Sequence, residues 1–310
     1  MRVAVLGLGL IGGSAALALA EAGHDVLGLD PDAATRDAAA AHFPVTADPA
    51  GLAGTDLAVV AAPFRHLAAI ADETLAGYTG LVTDVSSVKD VPARLFARHR
   101  FVGGHPMAGK ETAGFAAAEP GLFRDRKWVL CLEAATDLGD WTALAALWTS
   151  IGAHVVPATA AAHDRAAARI SHLEHLVAAA LVHVADEPLA RTLAAGSFRD
   201  GTRVAASPTA LFTGMVEGNR EQLLAALDDL GEELGYAHGY LQTTDRPNPI
   251  SEWFDGARAR RADWPPEVLA AQRIPLTRDA LVELGEAGGW LEAVKSEVAL
   301  ARRPRVKSTP

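Results

Sequence analysis

Three glycines near the amino terminus constrain this chain more than any other feature. Arg2-Val3-Ala4-Val5-Leu6 is a short run of β-forming residues, and Gly7-Leu8-Gly9-Leu10-Ile11-Gly12 follows it directly. An apolar helical pattern starts at Ile11 and runs to Ala22, and a second β-rich run, Asp25-Val26-Leu27-Gly28-Leu29, ends in Asp30. Each glycine answers a physical need. Gly7 makes the turn out of the strand, Gly9 lets the backbone approach a diphosphate, and Gly12 lets helix and strand pack closely. The helix N-terminus adds unpaired N–H groups and the positive end of a dipole, both favouring an anion. Strand, glycine turn, helix and acidic strand end, in that order, specify a dinucleotide site built from Gly7, Gly9, Leu10, Ile11 and Gly12. Asp30 is placed to accept hydrogen bonds from both ribose hydroxyls of NAD and to repel the 2′-phosphate of NADP. Arg36 lies close enough to offset that repulsion, but Pro31 and Asp32 argue against a phosphate pocket, so the expected cofactor is NAD.

The alternation continues along the first half. Asp56 to Ala62 is a buried-strand pattern that runs into Pro63 and a helical stretch from Arg65 to Leu75. Leu81 to Val85 is another strand, leading into Ser86-Ser87-Val88-Lys89. Strands alternating with helices predict a doubly wound, mainly parallel α/β sheet of the Rossmann type over residues 1–158, with ligands at the strand carboxyl ends. Ala62 and Pro63, Ser87 and His105 each follow such a strand and are expected on one rim, the first two beside the cofactor. The apolar run from Val3 to Ala20 superficially resembles a membrane span or signal segment. Its interruption by Gly7, Gly9, Gly12 and Gly13 makes strand, turn and buried helix the better reading.

Charge and cysteine content narrow the partners. A net charge of −10 argues against nucleic acid or an anionic membrane surface as a partner. A single cysteine, Cys131, excludes an internal disulfide framework and points to a reducing cytoplasm. Its setting, Lys127-Trp128-Val129-Leu130-Cys131-Leu132, reads as a buried strand.

The segment Gly103-Gly104-His105-Pro106-Met107-Ala108-Gly109-Lys110-Glu111-Thr112-Ala113-Gly114 sets a histidine into a glycine-rich loop where backbone can approach a ligand. Beyond about Pro157 the strand signals fade, and residues 159–310 are expected to form an all-α substrate and dimerisation domain. His163 to Ala185 reads as one long helix, with His172 and His175 at i and i+3 on one face. That spacing suits a metal, but no third ligand stands out, so none is expected. Further helices are expected over Glu187–Ala195, Pro208–Glu217 and Arg220–Leu241. Their extensive apolar faces suggest a homodimer. From about 243 the pattern becomes irregular, with a small appendage over Pro275–Lys295 and no room for a βαββαβ regulatory module.

Four motifs behind the glycine fingerprint resemble the prephenate/arogenate dehydrogenase family of tyrosine biosynthesis, over roughly residues 1–235. They are Asp84-Val85-Ser86-Ser87-Val88-Lys89, His105-Pro106-Met107-Ala108-Gly109, Ser171-His172-Leu173-Glu174-His175 and Phe198-Arg199-Asp200-Gly201-Thr202-Arg203. The resemblance implies oxidative decarboxylation of prephenate to 4-hydroxyphenylpyruvate, with hydride passing to NAD. It implies His105 as the base that takes the C4 hydroxyl proton, a role suited to histidine near neutral pH. Ser87 is implied to orient both partners. Arg203 matches the family's arginine for the substrate carboxylate, with Arg199 as the other candidate. His175 and Glu111 match residues in the cleft and at its mouth. Glu174 stands where many relatives have proline.

Other readings stay open at this level. The same chemistry could act on arogenate or 4-amino-4-deoxyprephenate. A different hydroxyacid or imine oxidoreductase of the same two-domain plan is a second reading, although the lysine such enzymes use is missing from His163–Ala185. An NAD-sensing module without catalysis is a third.

Overall fold

The computed structural model describes residues 1–110, 112–244 and 248–305. They divide into two compact units, one of residues 1–164 and 270–303, the other of 165–269 with the terminal segment from 304.

In the first unit β1 (Arg2–Leu6), β2 (Asp25–Leu29), β3 (Val45–Thr46), β4 (Leu57–Val60), β5 (Leu81–Asp84) and β6 (Arg100–Val102) form one sheet in the order β3-β2-β1-β4-β5-β6. Every pairing is parallel. This is the order of a doubly wound dinucleotide fold, which reverses direction beside β1 and so opens a crevice at the carboxyl ends of β1 and β4. The central strands read as unbroken apolar runs because helices cover both faces. β4 and β5 are buried along their whole length.

A second sheet joins β7 (Gly104–Pro106), β8 (Lys127–Cys131), β9 (His154–Ala158), β10 (Gln272–Pro275), β11 (Trp290–Lys295) and β12 (Val298–Arg302) in the order β10-β12-β11-β9-β8-β7. Two departures from the sequence reading appear here. His105 lies in a short strand, paired with Val129 of β8, where a loop was expected. Residues 270–303, expected to be an irregular extension of the helical domain, form a β-helix-β-β unit that returns to the first sheet-bearing unit. Its helix, Arg278–Glu286, buries Leu281 and Leu284, and Leu291 of β11 pairs with Val155 of β9. The signal was short: strands of four to six residues within a polar stretch carry little periodicity.

Lys127 helps fasten this addition. Its ammonium lies 3.0 Å from the centroid of the Trp290 ring and 3.3 Å from His154 Nδ1. Burial pushes Lys127 from 10.5 down to about 8, against the opposing pull of Glu292 and Asp125. Below pH 8 both folded and unfolded chains hold this proton, and the folded chain carries the full desolvation cost. Between about 8 and 10.5 only the unfolded chain holds it, so stability rises with pH across that window. Urea unfolding of the protein and of Lys127→Met at several pH values checks this. The expected difference is a slope confined to the window, and a pH-independent difference contradicts it.

Cys131 sits on β8 at 5% exposure, and burial pushes its thiol upward, away from reactivity.

The second unit is helical. The stretch expected as one helix from His163 runs as an α-helix over Ala160–Ala167, a π-turn over Ala168–His172 and an α-helix over Leu173–Val184. Helices Pro188–Leu193, Gly196–Thr202, Thr209–Gly218, Arg220–Gln242 and Ile250–Ala262 follow. Among the described residues no helix is long and apolar enough to cross a membrane.

Candidate active site

The fingerprint loop has the shape a diphosphate needs. Gly7 takes a φ of +97°, and a Cβ there would come within 2.8 Å of the Ala61 carbonyl oxygen. A Cβ on Gly12 would meet the Gly7 carbonyl oxygen at 1.9 Å, so the helix starts in contact with the turn. Nothing lies within 4 Å of where a Cβ on Gly9 would be, which leaves open space beside the loop. Helix Leu10–Glu21 starts with no side-chain cap and no acid in its first turn, leaving its N–H groups to an incoming anion. Leu10 and Ile11 stand on that turn. The carboxyl end of β4 carries Ala62 and Pro63 past Gly7, where the Ala62 nitrogen is 3.1 Å from the same constructed Cβ.

Asp30 closes the cradle. Its Oδ2 accepts from the Leu8 amide at 2.7 Å and its Oδ1 from the Asp32 amide at 2.9 Å. The Arg36 guanidinium donates to the carbonyl oxygens of Asp30 at 2.8 Å and Pro31 at 2.9 Å. Arg36 is thus tied to backbone rather than reaching outward as a phosphate clamp. These residues fit NAD.

His105 is held from behind by a buried pair. Asp84 and Lys89, at the two ends of the loop that contains Ser87, have side chains with no exposure. The Lys89 ammonium donates to Asp84 Oδ2 and to the Gly104 carbonyl at 2.5 Å. Asp84 Oδ1 accepts from the Gly104 amide at 3.0 Å. Both polar groups of the residue preceding His105 are therefore fixed by side chains from the β5 loop. A Cβ on Gly104 would lie 2.8 Å from the Asp84 carbonyl oxygen, which explains why glycine stands there.

The imidazole itself meets a residue the sequence reading passed over. His105 Nδ1 is 2.8 Å from His163 Nε2, and His163 Nδ1 is 2.7 Å from Asp164 Oδ1. Ser87, expected to orient His105, is half-buried, and among the described residues its hydroxyl makes no hydrogen bond. The hydroxyl of its neighbour Ser86 instead lies within hydrogen-bond reach of Asp84 Oδ2 and of the Val88 carbonyl oxygen, and its one proton goes to one or the other. The signal for His163 and Asp164 was a polar stretch, His163-Asp164-Arg165, after Ala160-Ala161-Ala162 at the start of the expected helix.

In the second unit the helix that carries His175 packs against the turn that Arg203 opens. His175 Nδ1 lies 3.4 Å from the Val204 carbonyl oxygen, and its ring meets Phe212 edge-on at 5.0 Å. Arg203 opens the 3₁₀ turn Arg203–Ala206 and is exposed. Arg199 is exposed as well and pairs with the adjacent Asp200 at 3.3 Å. His172 is buried and takes a hydrogen bond at 3.2 Å from Asn219, so of the two histidines it belongs to the packing. Glu111 lies outside the described residues. No group of three or more metal-ligating side chains is found among the described residues.

A parallel dinucleotide-binding sheet with an oriented histidine beside its β5 rim, carried with a helical unit, defines a dinucleotide-dependent dehydrogenase. Comparison with known proteins specifies which kind. Residues 15–157 match the nucleotide-binding domain of prephenate dehydrogenase and residues 159–255 its dimerization domain. The chain is 31% identical to the prephenate dehydrogenase of Bacillus subtilis, over 97% of this chain and 85% of that protein. Arogenate dehydrogenase from Synechocystis is similar in structure with a TM-score of 0.76 at 29% identity, covering 85% of this chain and all (100%) of that one. Prephenate dehydrogenase from Aquifex aeolicus, solved with hydroxyphenyl propionate and NAD+, gives a TM-score of 0.78 at 25% identity, covering 85% and 98%. The chain belongs to the prephenate dehydrogenase family and is an oxidoreductase.

Proposed function

We propose that this protein oxidises prephenate to 4-hydroxyphenylpyruvate and carbon dioxide, using NAD. The observation that carries the reading is the clamped His105, set in a family whose members act on prephenate or arogenate. NAD, held by Gly7, Gly9, Gly12 and Asp30, supplies the hydride acceptor. His105 takes the C4 hydroxyl proton while hydride leaves C4. The bond from C1 to its carboxylate breaks, and its electron pair completes the aromatic ring as carbon dioxide departs. The same proton then returns to the phenol oxygen, so His105 ends as it began. Arg203 binds a substrate carboxylate, with His175 beside it, and Ser87 contacts the C4 hydroxyl.

Two parts of this reading have their own tests. Asp30→Asn removes the carboxylate that faces the ribose and also weakens the bond to the Leu8 amide. NAD affinity falls by about tenfold, in line with roughly 1.4 kcal/mol for a charge-assisted hydrogen bond. Isothermal titration with NAD measures it, and unchanged affinity would remove Asp30 from the cofactor site. The second unit exposes large apolar side chains, among them Val184 at 86% and Leu241 at 72%. Burial of such surface in a homodimer is the reading they support. Light scattering of the purified protein is expected to give twice the chain mass of 32.3 kDa. The lone buried thiol and the NAD chemistry favour a cytoplasmic setting.

A further inference from the structure

The chain His105–His163–Asp164 has a direction, and the direction follows from Asp164. Its Oδ1 accepts from the Lys89 amide at 2.8 Å and its Oδ2 from the Asp90 amide at 2.9 Å. A carboxylate in that position is an acceptor, so the His163 Nδ1 that lies 2.7 Å away carries a proton and donates it. A His163 ring that carries its proton on Nδ1 alone then offers a lone pair at Nε2. That atom faces His105 Nδ1 at 2.8 Å, so His105 Nδ1 is the donor across this contact. The His163 and Asp164 side chains are each 3% exposed, and the His105 and His163 rings meet edge-on at 77°, which leaves the His163 ring little freedom to flip.

We infer that His163 and Asp164 are positioning residues that hold His105 in the tautomer with its proton on Nδ1, leaving Nε2 as the nitrogen that takes the substrate proton. This rests on the reading of His105 as the base. When Nε2 gains a proton, the resulting imidazolium keeps its Nδ1–H pointed at the His163 lone pair, and the Asp164 carboxylate lies one ring further on. The arrangement orients the ring without passing a proton along the chain. Because Asp164 also caps the turn at Lys89 and Asp90, the β5 loop that clamps Gly104 and the residue that orients His105 are tied to one carboxylate.

Nitrogen-15 spectra of histidine-labelled full-length protein read the tautomer directly, with the His105 signals identified by their loss in His105→Asn. The expected result is Nδ1–H on neutral His105 in the unaltered protein and a mixture of tautomers in His163→Leu. In turnover, His163→Leu lowers kcat by on the order of 10²-fold with little change in KM, as loss of a correctly protonated base does. His163→Gln restores at least about tenfold of that, because its carboxamide accepts from His105 and donates to Asp164. An Nε2–H tautomer in the unaltered protein overturns the inference, as does a His163→Leu kcat within about threefold of normal. If the unaltered protein turns over no substrate, the proposed function falls, and the spectra alone still decide the tautomer. NAD affinity and melting temperature of both His163 variants separate these outcomes from misfolding.

Discussion

Lys89→Ala lowers the melting temperature by roughly 6–20 °C, a loss of about 3–5 kcal/mol. The Lys89 and Asp84 side chains have no solvent exposure, and each holds one polar group of Gly104. Removing the ammonium leaves a buried carboxylate with only amide and hydroxyl donors from Gly104 and Ser86, and orphans the Gly104 carbonyl. Coulomb attraction between the pair does not by itself make it stabilising, since desolvating two charges costs about as much as it returns. The damage comes from stranding one charge. The double change Asp84→Asn with Lys89→Met, which removes both, is therefore expected to recover much of the loss. Thermal unfolding followed by circular dichroism measures all three proteins. A single variant that melts within about 2 °C of the parent would mean the clamp contributes little, contrary to what burying an unpaired charge should cost.

His105→Asn lowers kcat by 10²- to 10⁴-fold, the usual contribution of a general base, on the order of 3–5 kcal/mol of barrier. Asparagine keeps a polar group in the space but takes no proton near neutral pH. The cofactor residues from Gly7 to Asp30 are separate from β7, so NAD binding should be unchanged. Substrate KM should move far less than kcat, because the interaction lost belongs to the transition state. Steady-state rates of NADH formation and an NAD titration on the same preparation give both numbers. A variant that keeps more than about a tenth of the parent kcat would assign the proton to another group.

What was legible in the sequence depended on how local its cause was. The fingerprint, the acid at Asp30 and the parallel, doubly wound sheet follow from short-range rules: turn glycines, apolar runs and the alternation of strands with helices. The long helices of the second unit were legible for the same reason, although the π-turn at Ala168–His172 interrupts the one expected to start at His163. His105 was legible as a candidate, but its strand was not, because three residues pairing with β8 leave no periodicity to read. Lys89 and Asp84 stood in a motif, yet their role as a clamp on Gly104 is a contact across fifteen to twenty residues. His163 is 58 positions from His105, and no pattern in one sequence announces such a pairing. The return of residues 270–303 to the first unit is the same kind of fact, set by Leu281, Leu284 and Leu291 finding the α/β core.

The central claim concerns the reaction, and the most direct test is NADH formation by the purified full-length protein with NAD and prephenate. Arogenate and 4-amino-4-deoxyprephenate run alongside, with an NADP control. The account predicts turnover of prephenate with NAD in preference to NADP, with 4-hydroxyphenylpyruvate formed in step with NADH. Turnover of an amine analogue alone would contradict the substrate while keeping the chemistry. No turnover of any of the three, with NAD still bound, would contradict the account itself.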